Sequence, residues 1–239
     1  MEEELEVKVG KIVEDPKISL KQFSRYSSAT VNAKNTIVVN SKYPSGYIPK
    51  FYEIAKKIVC DTFSANFEDT ELYFEEFITQ AQRLKSEAIP FPTNKDNYKN
   101  RTLSAEGLIA LTHMQSQLNT ILKPYVLNSN IKNKRQSVSI EEVKIGAAAD
   151  MLLYEDAGAT HVGLLKFNFT KKKMSRLEAE YMLYVLWLFY KEKGVELDLN
   201  KCFLVDAFAG KIYRATDPVF VEEPARKSCR EIKEQWKLI

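Results

Sequence analysis

Asp150 and Lys166 are the residues whose type and setting point most directly to chemistry. Asp150 interrupts an otherwise apolar run at 147–154, and Lys166 stands between Leu165 and Phe167 in a second strand-like run at 162–169. A charged side chain is seldom buried without a partner. Side chains alternate along a strand with period two, so adjacent strands can point this carboxylate and this ammonium to one side of a sheet. Two readings stay open: an ion pair at a strand end, or a reactive pair in a cleft. Glu180 and Tyr184 lie one turn apart on one face of a helical stretch at 177–193. For Glu180 the competing reading is a solvated helix former. For Tyr184, among Tyr181, Trp187, Phe189 and Tyr190, it is a core tyrosine.

Two basic clusters flank these runs. Lys171, Lys172 and Lys173, with Arg176, follow the second run, and Lys132, Lys134 and Arg135 lie in a polar stretch before the first. Such clusters hold phosphates by neutralising charge and releasing counterions; the competing reading is a solvated loop. The two are expected to border one groove. His113 and His161 read as structural and exposed, respectively, and Phe167 and Phe169 as core residues.

The secondary structure around these groups follows from patterning. Residues 36–40 (TIVVN) read as a strand. Apolar spacing predicts helices over 48–65, 68–89 and 103–122, with Ser104 as a possible N-cap of the third. Residues 95–101 read as a polar connector and 128–136 as a loop. Strands are expected at 138–145, 147–154 and 162–169, with a turn at 156–159 between the last two. A helix over 177–193 ends at Gly194. Strands at 202–206 and 211–214 and a short helix over 225–236 complete the chain.

Lys+Arg number 35 against Asp+Glu 32, a net charge of +3 that neither demands nor excludes nucleic acid. Three widely spaced cysteines and two histidines do not read as a zinc site or a disulfide framework, which fits a reducing cytoplasm. The acidic start, Met1-Glu-Glu-Glu, does not read as a signal peptide, and no apolar run is long enough to span a bilayer.

Three short motifs carry a resemblance. Gly146-Ala-Ala-Ala-Asp150, Gly163-Leu-Leu-Lys166 and Glu180-Tyr-Met-Leu-Tyr184 resemble, in order, the strand, strand and helix motifs of the PD-(D/E)XK nuclease superfamily, especially its RecB-like branch. The resemblance covers about residues 103–215, less than half of the chain. It implies an α+β fold: a restriction-endonuclease-like αβββαβ core at 101–239 behind a mostly helical N-terminal part at 1–100. Residues 138–169 should then form a three-stranded meander, with 202–206 joining the sheet parallel to an earlier strand.

The resemblance also implies a Mg²⁺-dependent DNA nuclease, or a nuclease-derived subunit, of a bacterial-type defence, restriction or repair system beside a helicase or ATPase. Asp150, Lys166, Glu180 and Tyr184 would be its catalytic residues. In that chemistry two carboxylates hold the metal, the metal activates a water, and the lysine helps to position it. The family's acidic residue two before the lysine is here Leu164. A migrated carboxylate, Glu180, would then share the metal with Asp150, with Glu178, Glu155 and Glu106 next in line. On this reading Asp150 and Lys166 are partly exposed, and Asp150→Ala abolishes cleavage while leaving the fold intact. The alternative is a catalytically inactive nuclease-like protein that binds or scaffolds a larger partner.

Overall fold

The structure is a computed structural model and describes residues 12–45 and 51–239. The chain is mixed α and β. A short strand β1 (Lys17–Ile18) leads into helices α1 (Leu20–Ser27), α2 (Val31–Lys42), α3 (Glu53–Phe63), α4 (Glu71–Ala88), α5 (Asp96–Thr112) and α6 (Gln115–Leu122). Strands β2 (Val126–Ser129), β3 (Ser137–Ile140), β4 (Val143–Gly146), β5 (Met151–Glu155) and β6 (Thr160–Asn168) follow. Helix α7 (Arg176–Glu192), strands β7 (Cys202–Asp206) and β8 (Lys211–Arg214) and helix α8 (Glu222–Leu238) close the fold.

The main sheet has five strands in the order β2-β5-β6-β7-β8. β5 runs antiparallel to β2 and β6, β7 runs parallel to β6 after the α7 crossover, and β8 returns antiparallel to β7. The parallel pairing expected for 202–206 is present.

The meander differs from expectation. Residues 138–145 do not form one strand of this sheet. They fold into the β3–β4 hairpin, with Glu141 and Glu142 at positive φ in its turn, and pair with β1 in a separate three-stranded sheet. Their place beside β5 is taken by β2, which falls partly in the stretch read as loop. Val126–Ser129 is too short for a periodic signal and is fixed by its partner strand.

Two other readings are corrected. Residues 36–40 lie inside α2: their β-branched run is overridden because Val38 is fully buried on one helical face. Residues 95–101 are mostly the first turns of α5, so Ser104 is a buried mid-helix residue and not an N-cap. The expected third helix breaks at His113 and Met114 into α5 and α6.

Each face of the main sheet carries its own core. On one face Leu164, Leu204 and Ala149 pack with α1, α7, α8 and the small sheet. On the other Met151, Leu153, Leu165, Phe167 and Val205 pack with α3, α4, α5 and α6. Both cores draw residues from either side of position 100, so the N-terminal helices complete the core on both faces.

Local chemistry explains the helix ends nearest the sheet end. Ser19 and Ser175 cap α1 and α7, each with a reciprocal partner three residues on, Gln22 and Glu178. Gly194, at φ +74°, supplies the left-handed residue that ends α7. Gly163 answers a different need, because a Cβ there would run into the carbonyl of Lys201 as the turn at 199–201 crosses β6. Gly163→Ala should therefore cost about 1–3 kcal/mol by overpacking, read as a lowered urea midpoint with unchanged m-value. An unchanged midpoint would mean that the crossing relaxes freely.

Candidate functional site at the end of the main sheet

The C-terminal ends of β2, β6 and β7 and the N-terminal end of β5 meet at one end of the sheet. In open α/β sheets, ligands bind outside the carboxyl ends of the parallel strands. Cα pairing of Met151 with Leu165 and Leu152 with Leu164 sets Asp150 beside Lys166 at that end. By the two-residue alternation both point to the face of Leu164, which itself is fully buried under the α1–α7 core. Leucine at 164 is thus a packing residue one pleat deeper than Lys166.

Asp150 is only 4% exposed, and both of its oxygens are engaged. Oδ2 accepts the Phe167 N–H at 2.9 Å, and Oδ1 faces Lys166 Nζ at 2.9 Å and Lys56 Nζ at 3.3 Å. Lys166 also donates to the carbonyl of Ala148 at 2.8 Å. The Asp150 peptide is tied as well: its N–H donates to Leu165 O and its carbonyl accepts the Asn130 N–H. Burial alone would raise the Asp150 carboxyl, but the Lys166 and Lys56 ammoniums and the Phe167 N–H outweigh it and hold the group below its ordinary range. Asp150 in turn raises Lys56 against burial. Burial pulls Lys166 down, and Asp150 opposes it. The expected partial exposure is corrected for Asp150, which is buried; the Lys166 side chain, 14% exposed, is partly open as expected.

Two adjoining hollows open beside the pair and share Glu53, Lys56 and Lys166 as walls. The outer one, of about 760 Å³, also takes in Lys57, Lys132, Lys134 and Asp150. The inner one, of about 300 Å³, takes in Lys21 of α1, Tyr52 and Phe169. Lys21 is pulled down to about 8 by burial first and then by repulsion from Arg25 and Lys56, with Glu178 and Asp206 opposing. Asn130, itself buried, fixes the basic loop to this end of the sheet through Ala149 O at 3.0 Å and Gln136 Oε1 at 3.0 Å. Lys132, Lys134 and Arg135 continue outward into a further hollow with Phe189 and Lys193.

Other expected members stand elsewhere. Glu180 pairs with Arg176 at 2.8 Å and lines a shallow groove along β8 with Tyr213 and Arg214. β8 is three strands from β5 in the sheet order, roughly 14 Å at ~4.8 Å per strand. Glu180 is therefore not brought to Asp150, and the two carboxylates line separate hollows. Tyr184 is a core residue of α7, its hydroxyl pushed up to about 12 by burial and by Glu222. Glu178 caps α7, Glu155 pairs with Lys201 and Glu106 pairs with Lys171. Lys172 and Lys173 are exposed, and Lys171 and Arg176 are tied to Glu106 and Glu180. Among the described residues, none of these hollows is lined by side chains of both basic clusters; the second cluster comes no nearer to the inner one than Thr170, next to Lys171. His113 is exposed, in a separate hollow with Glu106, and His161 is half-buried and stacked on Tyr154.

The donor set at the sheet end does not fit Mg²⁺. That ion takes oxygen ligands, whereas Asp150 offers oxygens already engaged by two ammoniums and an amide. Among the described residues, no group of three or more acidic, histidine or cysteine side chains could hold a metal ion.

The residues at this end of the sheet that sequence patterning missed are Lys56, Lys57 and Glu53 on α3, Lys21 on α1 and the buried pair Asn168–Asp206. Lys56, Lys57 and Glu53 read as the solvated face of an amphipathic helix. Asp206 is fully buried, accepting Asn168 Nδ2 at 3.0 Å and the Met174 N–H at 3.0 Å. Its strand position in an apolar run was the same signal that marked Asp150. All three cysteines are buried free thiols, and among the described residues no helix is long and apolar enough to cross a membrane. No family model and no curated protein matches this chain.

Proposed function

We propose that this chain is a nuclease-derived nucleic-acid-binding protein, with a restriction-endonuclease-like αβββαβ frame that holds a DNA strand along the lysine-lined hollows at the end of its main sheet. The observation that carries the reading is the Asp150–Lys166 pair, 2.9 Å apart at the end of the parallel strands and open to a cleft that runs into the 130–136 loop. Support for the frame comes from the sheet: antiparallel strands β2, β5 and β6, the α7 crossover, and β7 parallel to β6. The β3–β4 hairpin is then an insertion between the first two strands of that frame. Magnesium-dependent cleavage is not part of the proposal, because the second carboxylate it needs does not reach Asp150. A working place beside a larger helicase or ATPase belongs to the same proposal and rests on the resemblance alone.

The test is fluorescence anisotropy with a labelled oligo-dT strand. Affinity should fall steeply from about 50 mM to about 200 mM salt, as counterion release requires. Replacing Lys132, Lys134 and Arg135 together by Ser should weaken binding at least about tenfold at low salt and flatten the log–log slope by about 2, at ~0.7 per contact. Absence of binding at low salt would overturn the reading.

A further inference from the structure

We propose that Lys56 does at this site the electrostatic work of a metal ion: its ammonium holds a phosphate of the bound strand against the Asp150–Lys166 pair, and binding there needs no divalent cation. The inference rests on the nucleic-acid reading above and deepens it.

Lys166 donates to Ala148 O and to Asp150 Oδ1, and its side chain is nearly closed off. Lys56 touches the same oxygen at 3.3 Å, yet its side chain is 34% exposed and walls both hollows. An ammonium has three N–H donors, so Lys56 keeps donors for a ligand while Asp150 fixes its position. The charges agree. Asp150 and Lys166 cancel, and Lys56 leaves one positive charge at the floor of the cleft. Lys21 adds a second ammonium, close enough to Lys56 for the two to repel and partly matched by Glu178 and Asp206. The carboxylate that shares the wall, Glu53, faces Lys134 at 3.8 Å.

A compact cation beside a buried carboxylate, opening on a small hollow, suits a hard anion such as a phosphate oxygen through charge-assisted hydrogen bonds. It also explains the single carboxylate. A divalent ion needs further anionic ligands to be held, whereas an ammonium needs one carboxylate to be positioned.

A structural role for Lys56, docking α3 on the sheet, would give the same ion pair, so the experiment separates the two. Anisotropy with labelled oligo-dT is measured at matched ionic strength in excess EDTA and in Mg²⁺, for the wild type, Lys56→Met and Lys56→Arg, with circular dichroism and the urea midpoint alongside. Methionine keeps the apolar stem and removes the charge. The expected result is wild-type binding equal within about twofold in EDTA and Mg²⁺, about tenfold weaker binding for Lys56→Met with the native spectrum kept, and near-wild-type binding for Lys56→Arg. Loss of wild-type binding in EDTA would overturn the inference whatever the variants do. So would a folded Lys56→Met that binds like the wild type. In both cases the proposed function survives, supported by the Lys132, Lys134 and Arg135 variant. Failure of the wild type to bind in either buffer would remove both.

Discussion

Asp150→Ala should lower the stability of the protein by about 3–5 kcal/mol, the usual cost of removing one partner from a buried ion pair. The carboxylate is the common acceptor of Lys166, Lys56 and the Phe167 N–H. Without it Lys166 stays largely enclosed against the Ala148 carbonyl with an uncompensated charge, and the Phe167 amide loses its partner. Lys56 can swing toward solvent, which keeps the loss inside that range. Asp150→Asn keeps an acceptor for the amide and should cost less. Lys166→Met leaves Asp150 with Lys56 and should cost less again. Urea unfolding of the three variants checks the order, and an Asp150→Ala loss below about 1 kcal/mol would contradict the geometry.

The same carboxylate fixes a sign with pH. Its folded pKa lies below the ordinary 3.8, so its contribution is complete above that value and is lost as pH falls through the folded one. The acid limb of the stability curve should therefore flatten in Asp150→Asn. An Asp150→Ala variant is consequently not a clean test of catalysis, contrary to what a partly exposed aspartate would have allowed.

Asp206→Ala should cost about 2–4 kcal/mol, from two hydrogen bonds to a fully buried side chain. Its second effect is local. Asp206 holds Asn168 at the end of β6 and the Met174 amide just before α7, and Asn168 in turn accepts the Thr170 hydroxyl at 2.9 Å. The segment that carries Lys171–Lys173 is anchored at both ends by this one side chain. Hydrogen exchange of the amides at 169–175 should speed up in Asp206→Ala far more than in the α3–α6 layer. Asp206→Asn should retain one of the two bonds and show about half the effect. Uniform exchange across the molecule would mean that Asp206 serves the whole core and not this segment.

Elements with strong periodic or capping signals, and residues that break an apolar pattern, were legible from the amino-acid order alone. The helices at 53–63, 71–88 and 176–192 were legible from their stripes, and the last of them also from its Gly194 stop. The parallel strand at 202–206 followed from the crossover helix before it. The pairing of Asp150 with Lys166 followed from two charges in neighbouring apolar strands, because burial forces such groups to find each other.

Which strand fills the place beside β5 was settled by long-range pairing, since four residues at 126–129 have no period of their own and take their state from the partner. Tertiary packing moved the β-branched run at 36–40 into a helix, because the burial of Val38 against the α1–α8 layer outweighs local propensity. It also decided the chemistry of the site. Lys56 and Lys21 lie more than 90 residues before Asp150, on helices whose charged faces look solvated in one dimension. They reach the sheet end because both cores need those helices to close. Glu180 failed to join them for a matching reason: a helix fixes which residues share a face, but the strand beneath that face is set by sheet order, and here it is β8.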